Sequence, residues 1–198
     1  MTDQHFHRRN LPHLYYNDGT YFITYRLHDS IPIHLMKELH AEYDKAKKNP
    51  STLDQTRKNL FNKYDDLLDK HIANCSYLTL PEIAESNVST LHFPDGKDYK
   101  LICYCIMPNH IHLVFKLLEY SRSISKIMQS IKRVSARESN KILQREGTFW
   151  LNESFDRLVR DDKELYFTIE YVINNPVKAG LCKRPEDWKY TYLHSDYK

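Results

Sequence analysis

With 198 residues, 41% of them apolar and 28% charged, the chain is long enough for one domain with a buried core and has a globular composition. It has no run of about 18 apolar residues, which argues against a membrane span, and its N-terminus lacks the basic-then-apolar pattern of a signal peptide. Net charge is only +3, and the four glycines (19, 96, 147 and 180) are too scattered for a P-loop or a dinucleotide fingerprint, so no nucleotide cofactor is expected.

Polar and aromatic residues from Gln4 to Tyr16 suggest an N-terminal arm. Tyr21 to Leu27 is β-branched and aromatic and predicts the first strand. Residues 33–48 and 52–73 predict helices broken at Asn49-Pro50, with Ser51 as an N-cap. A shorter helix is predicted from Leu80-Pro81-Glu82, because proline suits a first helical turn. Lys100 to Ile106 and Ile111 to Phe115 are apolar runs around Met107-Pro108-Asn109, a hairpin signal. A long helix over 122–145 should stop at Gly147, and Phe155 to Val159 should form a last short strand. Asp161 and Glu164 make a capping-box pattern for a helix over 162–175, ended by Pro176.

The order β, helices, β, β, helix, β, helix predicts an α+β fold. Its simplest packing is a ferredoxin-like (split β-α-β) antiparallel sheet with packed helices, in a single domain over 1–198. Residues 31–97 are long for one crossover and predict a helical elaboration after the first strand. The four cysteines (75, 103, 105 and 182) lack Cys-x-x-Cys spacing and fit a reducing cytoplasm better than a disulfide scaffold; Cys103 and Cys105 are read as core.

Two short patterns carry chemistry. Strand residues two apart share a face, so His110 and His112 can offer two imidazoles to one ion. Helix residues four apart are neighbours, so Tyr171 and Asn175 project together. Two ring nitrogens, an amide oxygen and a phenol are the equipment of metal-assisted phosphodiester chemistry with a tyrosine nucleophile. Each part has a plainer reading. A His-x-His pair also occurs by accident beside a turn, and any one of 15 tyrosines is usually core or interface. Asparagine before proline commonly ends a helix.

Charge is concentrated in 122–145, where Arg122, Lys126, Lys132, Arg133, Arg137, Lys141 and Arg145 face Glu138 alone. At about 100° per residue, Arg122, Lys126, Arg133, Arg137 and Lys141 fall in one quadrant. Ile124, Ile127, Met128, Ile131, Val134 and Ile142 fall opposite. A stripe of one sign without acidic i,i+4 partners repels itself unless phosphates neutralise it, which favours nucleic acid over a merely solvated face. Trp150, Phe155 and Tyr166 are candidates for base stacking, with core packing the competing role for Trp150 and Phe155. Asp156 and Arg157 could pair with each other or touch substrate.

Cys105 to Phe115, with its histidine-hydrophobe-histidine core, resembles the motif of the HUH single-strand DNA endonucleases. Phe149 to Asp161 is similar to the segment before the nucleophile helix of REP-associated tyrosine transposases. Tyr171 to Leu181 resembles that family's most recognisable signature. With Tyr21 to Arg26, the resemblance covers most of the chain outside 31–97 and the final dozen residues. It implies a ferredoxin-like core that nicks and rejoins single-stranded DNA at hairpin (palindromic repeat) sites through a 5′-phosphotyrosine. By position it makes Tyr171 the nucleophile and His110, His112 and Asn175 ligands of a divalent metal, Mg²⁺ or Mn²⁺. More distant insertion-sequence relatives carry glutamine where Asn175 stands. The implied setting is a bacterial cytoplasm, associated with the nucleoid when acting, as monomer or homodimer. Two rivals remain: a domesticated nucleic-acid-binding protein without catalysis, and a metallohydrolase that activates water at His110 and His112. No general base for Tyr171 is evident.

Overall fold

Alternation of side chains along the strands decides which residues meet at the site. The computed structural model describes residues 5–8, 12–15, 18–46, 53–72 and 75–198. The elements are β1 (His5–Arg8), β2 (Pro12–Tyr15), β3 (Thr20–Arg26), α1 (Ile33–Ala46), α2 (Leu53–Lys70), α3 (Pro81–His92), β4 (Tyr99–Ile106), β5 (His110–Leu117), α4 (Ile124–Ile142), β6 (Phe155–Val159), α5 (Asp162–Lys178) and β7 (Thr191–Leu193). The expected Asn49-Pro50 break and Ser51 cap lie outside the described residues. Within the N-terminal arm, β1 and β2 pair as a separate antiparallel ribbon.

The main sheet is antiparallel in the order β6-β3-β5-β4-β7. The connection from β3 to β4 leaves β5 between them, and α4 carries the chain from β5 past β3 to β6. These are two interleaved split β-α-β units, the ferredoxin-like arrangement that the element order predicts. The strand β7, added outside β4, is too short to show a period in the sequence.

The two faces have different covers. Tyr21, Ile23, Tyr25, Ile111, Leu113 and Phe115 point to one side, where they pack with Ile83 and Leu91 of α3 and Ile124, Ile127 and Ile131 of α4. Phe22, Cys103, Cys105 and Val114 point to the other, against Ile169 and Val172 of α5. The same alternation sends Thr24, Arg26, His110 and His112 to this second face, with Thr24 opposite His112 and Arg26 opposite His110. The cysteines are free, and Cys103 and Cys105 are core as expected.

Trp150 resolves in favour of core. It is 5% exposed, its ring lies 4.8 Å from that of Tyr25, and its Nε1–H donates to Ser135 Oγ at 2.9 Å. Ser135 sits on α4, so one side chain ties the loop after that helix back to it and to the sheet. Replacing Trp150 with alanine should cost about 3–5 kcal/mol of stability, read as a lower urea midpoint with an unchanged slope.

Two helix ends differ from expectation. Helix α4 stops before Gly147: Gln144 adopts a left-handed turn (φ 49°), and the Arg145 N–H bonds back to the Asn140 carbonyl at 3.0 Å. Helix α5 does not stop at Pro176 but runs through it to Lys178. Proline removes one N–H and restricts the residue before it, yet the turn beyond is closed independently. Leu181 N–H donates to the Pro176 carbonyl at 2.9 Å and Gly180 N–H to the Val177 carbonyl at 3.0 Å, with Gly180 at φ 71°. That is a Schellman termination, and glycine supplies its left-handed residue without penalty. At the other end, Asp161 Oδ1 accepts from Glu164 N–H at 2.7 Å, the predicted cap.

Candidate functional site

The hairpin β4–β5 and helix α5 bring His110, His112 and Tyr171 together: strand spacing sets the two imidazoles on one face, and the packing of α5 on that face adds the phenol. The two imidazoles meet with their Nε2 atoms 3.0 Å apart, and both side chains are fully buried. The Tyr171 ring lies 5.4 Å from that of His112 and packs edge-on against Phe22 and Phe61 at 5.9 and 5.8 Å. Asn175, one turn further along α5, is 1% exposed.

The outer nitrogens are held by partners that the sequence did not single out. Asn109 Nδ2 donates to the Leu68 carbonyl at 2.9 Å, and a carbonyl can only accept. This fixes the Asn109 amide so that its oxygen faces His110 Nδ1, 2.7 Å away. His110 therefore carries its proton on Nδ1 and presents a lone pair at Nε2. Burial, first of all, and then the neighbouring His112 hold His110 well below its ordinary pKa, which agrees with a neutral ring. His112 Nδ1 lies 2.8 Å from Thr24 Oγ1, a hydroxyl able to donate or accept. Such outer partners orient metal-binding imidazoles.

A third group comes from an unexpected place. Asp65 of α2, in the helical elaboration, is buried against the pair, with Oδ1 3.4 Å from His112 Nε2. One nitrogen from each histidine and one oxygen of Asp65 all lie within 4.8 Å of one another. Lys178 Nζ holds the other Asp65 oxygen at 2.5 Å, and also reaches Asp66 at 3.1 Å and Asp69 at 3.5 Å. Burial alone would raise the Asp65 pKa, but contact with His112 and the Lys178 ammonium outweighs it and holds the carboxyl well below the usual range.

Helix α2 is seated rather than loosely appended. Phe61 packs at a tilt against Phe155 with ring centroids 4.4 Å apart, Tyr64 hydrogen-bonds buried Arg26, and Leu68 is fully buried. Burial pushes the Tyr64 phenol up to about 12.

Several buried polar atoms here have only loose contacts among the described residues: Asp65 Oδ1, Tyr171 Oη and both side-chain atoms of Asn175 lack a well-formed hydrogen bond, although Tyr171 Oη reaches towards Asp65 and Asn175. Buried polar groups are normally satisfied, so a cluster of orphans calls for a missing partner. Two imidazole nitrogens, a carboxylate oxygen and an amide oxygen suit a divalent cation. The donor set fits one.

Tyr171 is strongly disfavoured as a phenolate in this setting. Burial raises its pKa first, the charges of Asp65 and Asp69 add to that, and Asn175 works in the opposite direction.

The basic stripe occupies the opposite side of the sheet. Lys126, Arg133 and Lys141 extend from α4 into solvent and form no ion pair among the described residues, while Arg137 pairs with Glu138 at 2.9 Å. Arg122 precedes the helix, and its guanidinium grips Asp98 through contacts of 2.6–3.2 Å. Val134, placed with the apolar face by its angle, is 37% exposed. Arg157 pairs with Glu164 at 3.2 Å rather than with Asp156, because adjacent strand residues point to opposite faces. Tyr166 is exposed, and Phe155 is partly buried against Phe61.

With this geometry in hand, comparison with known proteins gives a consistent result. Residues 87–175 match the family model of IS200-like transposases. The match takes in His110, His112, Tyr171 and Asn175 and stops short of Asp65 on one side and Lys178 on the other. The chain is 32% identical over 116 residues to a candidate REP-associated tyrosine transposase of Haemophilus influenzae, covering 54% of this chain and 64% of that protein. It is 23% identical over 100 residues to a REP-associated tyrosine transposase of Escherichia coli, covering 50% and 58%. The chain thus spans less than two thirds of the length of either relative. A solved structure of a REP-associated tyrosine transposase bound to a REP hairpin shares the fold, with a TM-score of 0.56 at 16% identity, covering 93% of this chain and 80% of that one.

Proposed function

We propose that this protein is a transposase that nicks and rejoins single-stranded DNA at hairpin sites, with Tyr171 as nucleophile and a divalent metal held by His110, His112 and Asn175. The observation that carries this reading is the convergence of a buried phenol on two imidazoles beside unsatisfied carboxylate and amide oxygens. A merely solvated histidine pair would not be fully buried against a phenol and a carboxylate. The relatives are named as transposases, which supports the same activity here.

The chemistry balances without an energy source. Tyr171 Oη attacks a backbone phosphorus; the bond to the 3′ oxygen breaks, leaving a free 3′-OH and a 5′-phosphotyrosine. Attack by a 3′-OH on that linkage reverses the exchange, so joining needs no ATP. A bound Mg²⁺ or Mn²⁺ would offset charge on the scissile phosphate and ease ionisation of the phenol. Asn175 favours the ionised phenol from the helix side, and the aromatic wall of Phe22, Phe61 and Phe155 limits water around it.

Single strands and hairpins from the gene's own flanks, incubated with Mg²⁺ or Mn²⁺ and resolved on a denaturing gel, test the reading. A metal-dependent covalent adduct is expected. Hairpin binding with no adduct under either ion would instead favour the binding-only protein.

The exposed cations of α4 are assigned to DNA backbone contact. Changing Lys126, Arg133 and Lys141 together to alanine should weaken binding to all sequences alike. It should also flatten the plot of log affinity against log salt by about 0.7–0.9 per lost phosphate contact. Fluorescence anisotropy across a salt series measures both.

Among the described residues, no helix is long and apolar enough to cross a membrane.

A further inference from the structure

We propose that Asp65 is a ligand of the divalent ion, delivered by the inserted helix α2 and oriented by Lys178; this rests on the metal-dependent reading above. The two Asp65 oxygens face different partners. Oδ2 is bound by Lys178, whereas Oδ1 is turned into the histidine pair, 3.4 Å from His112 Nε2, with no well-formed hydrogen bond. A plain ion pair with Lys178 would not require the second oxygen to point at two imidazole nitrogens, where its contacts are long and a buried carboxylate oxygen is poorly compensated. A cation at the point where Asp65 Oδ1 and the two histidine nitrogens converge would satisfy all three atoms together.

Among the described residues, Asp65 is the acid that groups with both histidines. The Asp66 side chain is 55% exposed and pairs with Lys178, and Asp69, one turn further along α2, is 15% exposed and also keeps one buried oxygen without a hydrogen bond, but it does not group with the two histidines. Asp65 is singled out by where the helix sits. Phe61 at one turn before it and Leu68 at one turn after it are both docked, and the Leu68 carbonyl is bonded to Asn109, the residue next to His110. Lys178 belongs to α5, in register with Tyr171 and Asn175, so both sides of the cleft are linked through one carboxylate. Chemically, a carboxylate added to two imidazoles and an amide supplies a hard, charged oxygen, which suits Mg²⁺ or Mn²⁺ and leaves positions open for phosphate oxygens. Lys178 then acts as a positioning residue, in the way that outer partners hold ligating carboxylates.

The test is Mn²⁺ binding by calorimetry to the full chain without DNA. Wild type is compared with Asp65→Asn, Asp66→Asn, Lys178→Met and His112→Ala, and the fold of each is verified by circular dichroism. Asp65→Asn is expected to weaken binding by more than about 10-fold, the lower range for losing even an outer partner. Lys178→Met should fall between it and wild type, and Asp66→Asn should stay within about twofold of wild type, as suits an acid outside the ligand sphere. Should Asp65→Asn fail to fold, Asp65→Ser takes its place with the same expectation. If the Asp65 variant binds Mn²⁺ as wild type does while His112→Ala does not, the ion sits on the histidines without Asp65 and the proposal is wrong. If wild type binds neither Mn²⁺ nor Mg²⁺, the metal-dependent reading itself fails, a result that the first outcome cannot mimic.

Discussion

Tyr171→Phe is expected to abolish the covalent protein–DNA adduct, lowering its rate of formation by at least about 10³-fold, in line with the loss of other enzymatic nucleophiles. The substitution removes one oxygen and keeps the ring. The contacts of that ring with Phe22, Phe61 and His112 are unchanged, so the aromatic cluster stays packed. The oxygen makes only loose contacts with Asp65 and Asn175, so little is lost with it and stability should change by less than about 1 kcal/mol. Hairpin affinity should also persist, since the basic face of α4 lies across the sheet. The informative result is this separation: intact fold, intact binding, no adduct, read by thermal melting, anisotropy and a denaturing gel. An adduct that survives in Tyr171→Phe would place the nucleophile elsewhere.

The second large effect is expected at His112. Its ring touches nearly every part of the site: Thr24 at 2.8 Å, His110 at 3.0 Å, Asp65 at 3.4 Å and the stacked Phe22 ring at 5.7 Å. His112→Ala removes a ligand and leaves Asp65 with one fewer partner beside it. Metal binding should be lost at millimolar Mn²⁺, and adduct formation should fall by about 10³-fold or more, since both charge compensation at the phosphate and phenol activation depend on the ion. Raising Mn²⁺ should not restore it. A variant that still forms adducts at wild-type rate would show that the histidine pair is structural.

Much of this site is legible in the sequence because its parts are local. His110 and His112 need only the period of a strand, and Tyr171 and Asn175 only the period of a helix. The same logic finds the core: alternate residues of β3 and β5 are apolar on the face that α3 and α4 cover. What escapes is tertiary. Asp65, Asp66 and Asp69 are alike in sequence, and only the docking of α2 decides that the first is buried and the second solvated. Thr24 reaches His112 across a strand pair 88 residues apart. Arg122 looks like one more member of a cationic stripe until Asp98 is seen to claim it. The stripe's position on the far side of the sheet also depends on topology, which charge counting does not contain. Pro176 misleads for a different reason: a strong local rule for ending helices is overridden by a Schellman closure just beyond it.

Asn109 joins two things that are otherwise distant in the chain. Its one amide group spans the Leu68 carbonyl of α2 and the Nδ1 of His110, so it cannot turn to suit one without releasing the other. The seating of the helix and the tautomer of the imidazole are therefore a single equilibrium. Thermodynamic reciprocity then applies: whatever free energy an ion gains from a correctly presented His110 is returned as tighter clamping of α2. On the proposed reading, anything that pries at the outer surface of α1 and α2 would be felt at the metal site, though it never comes near it.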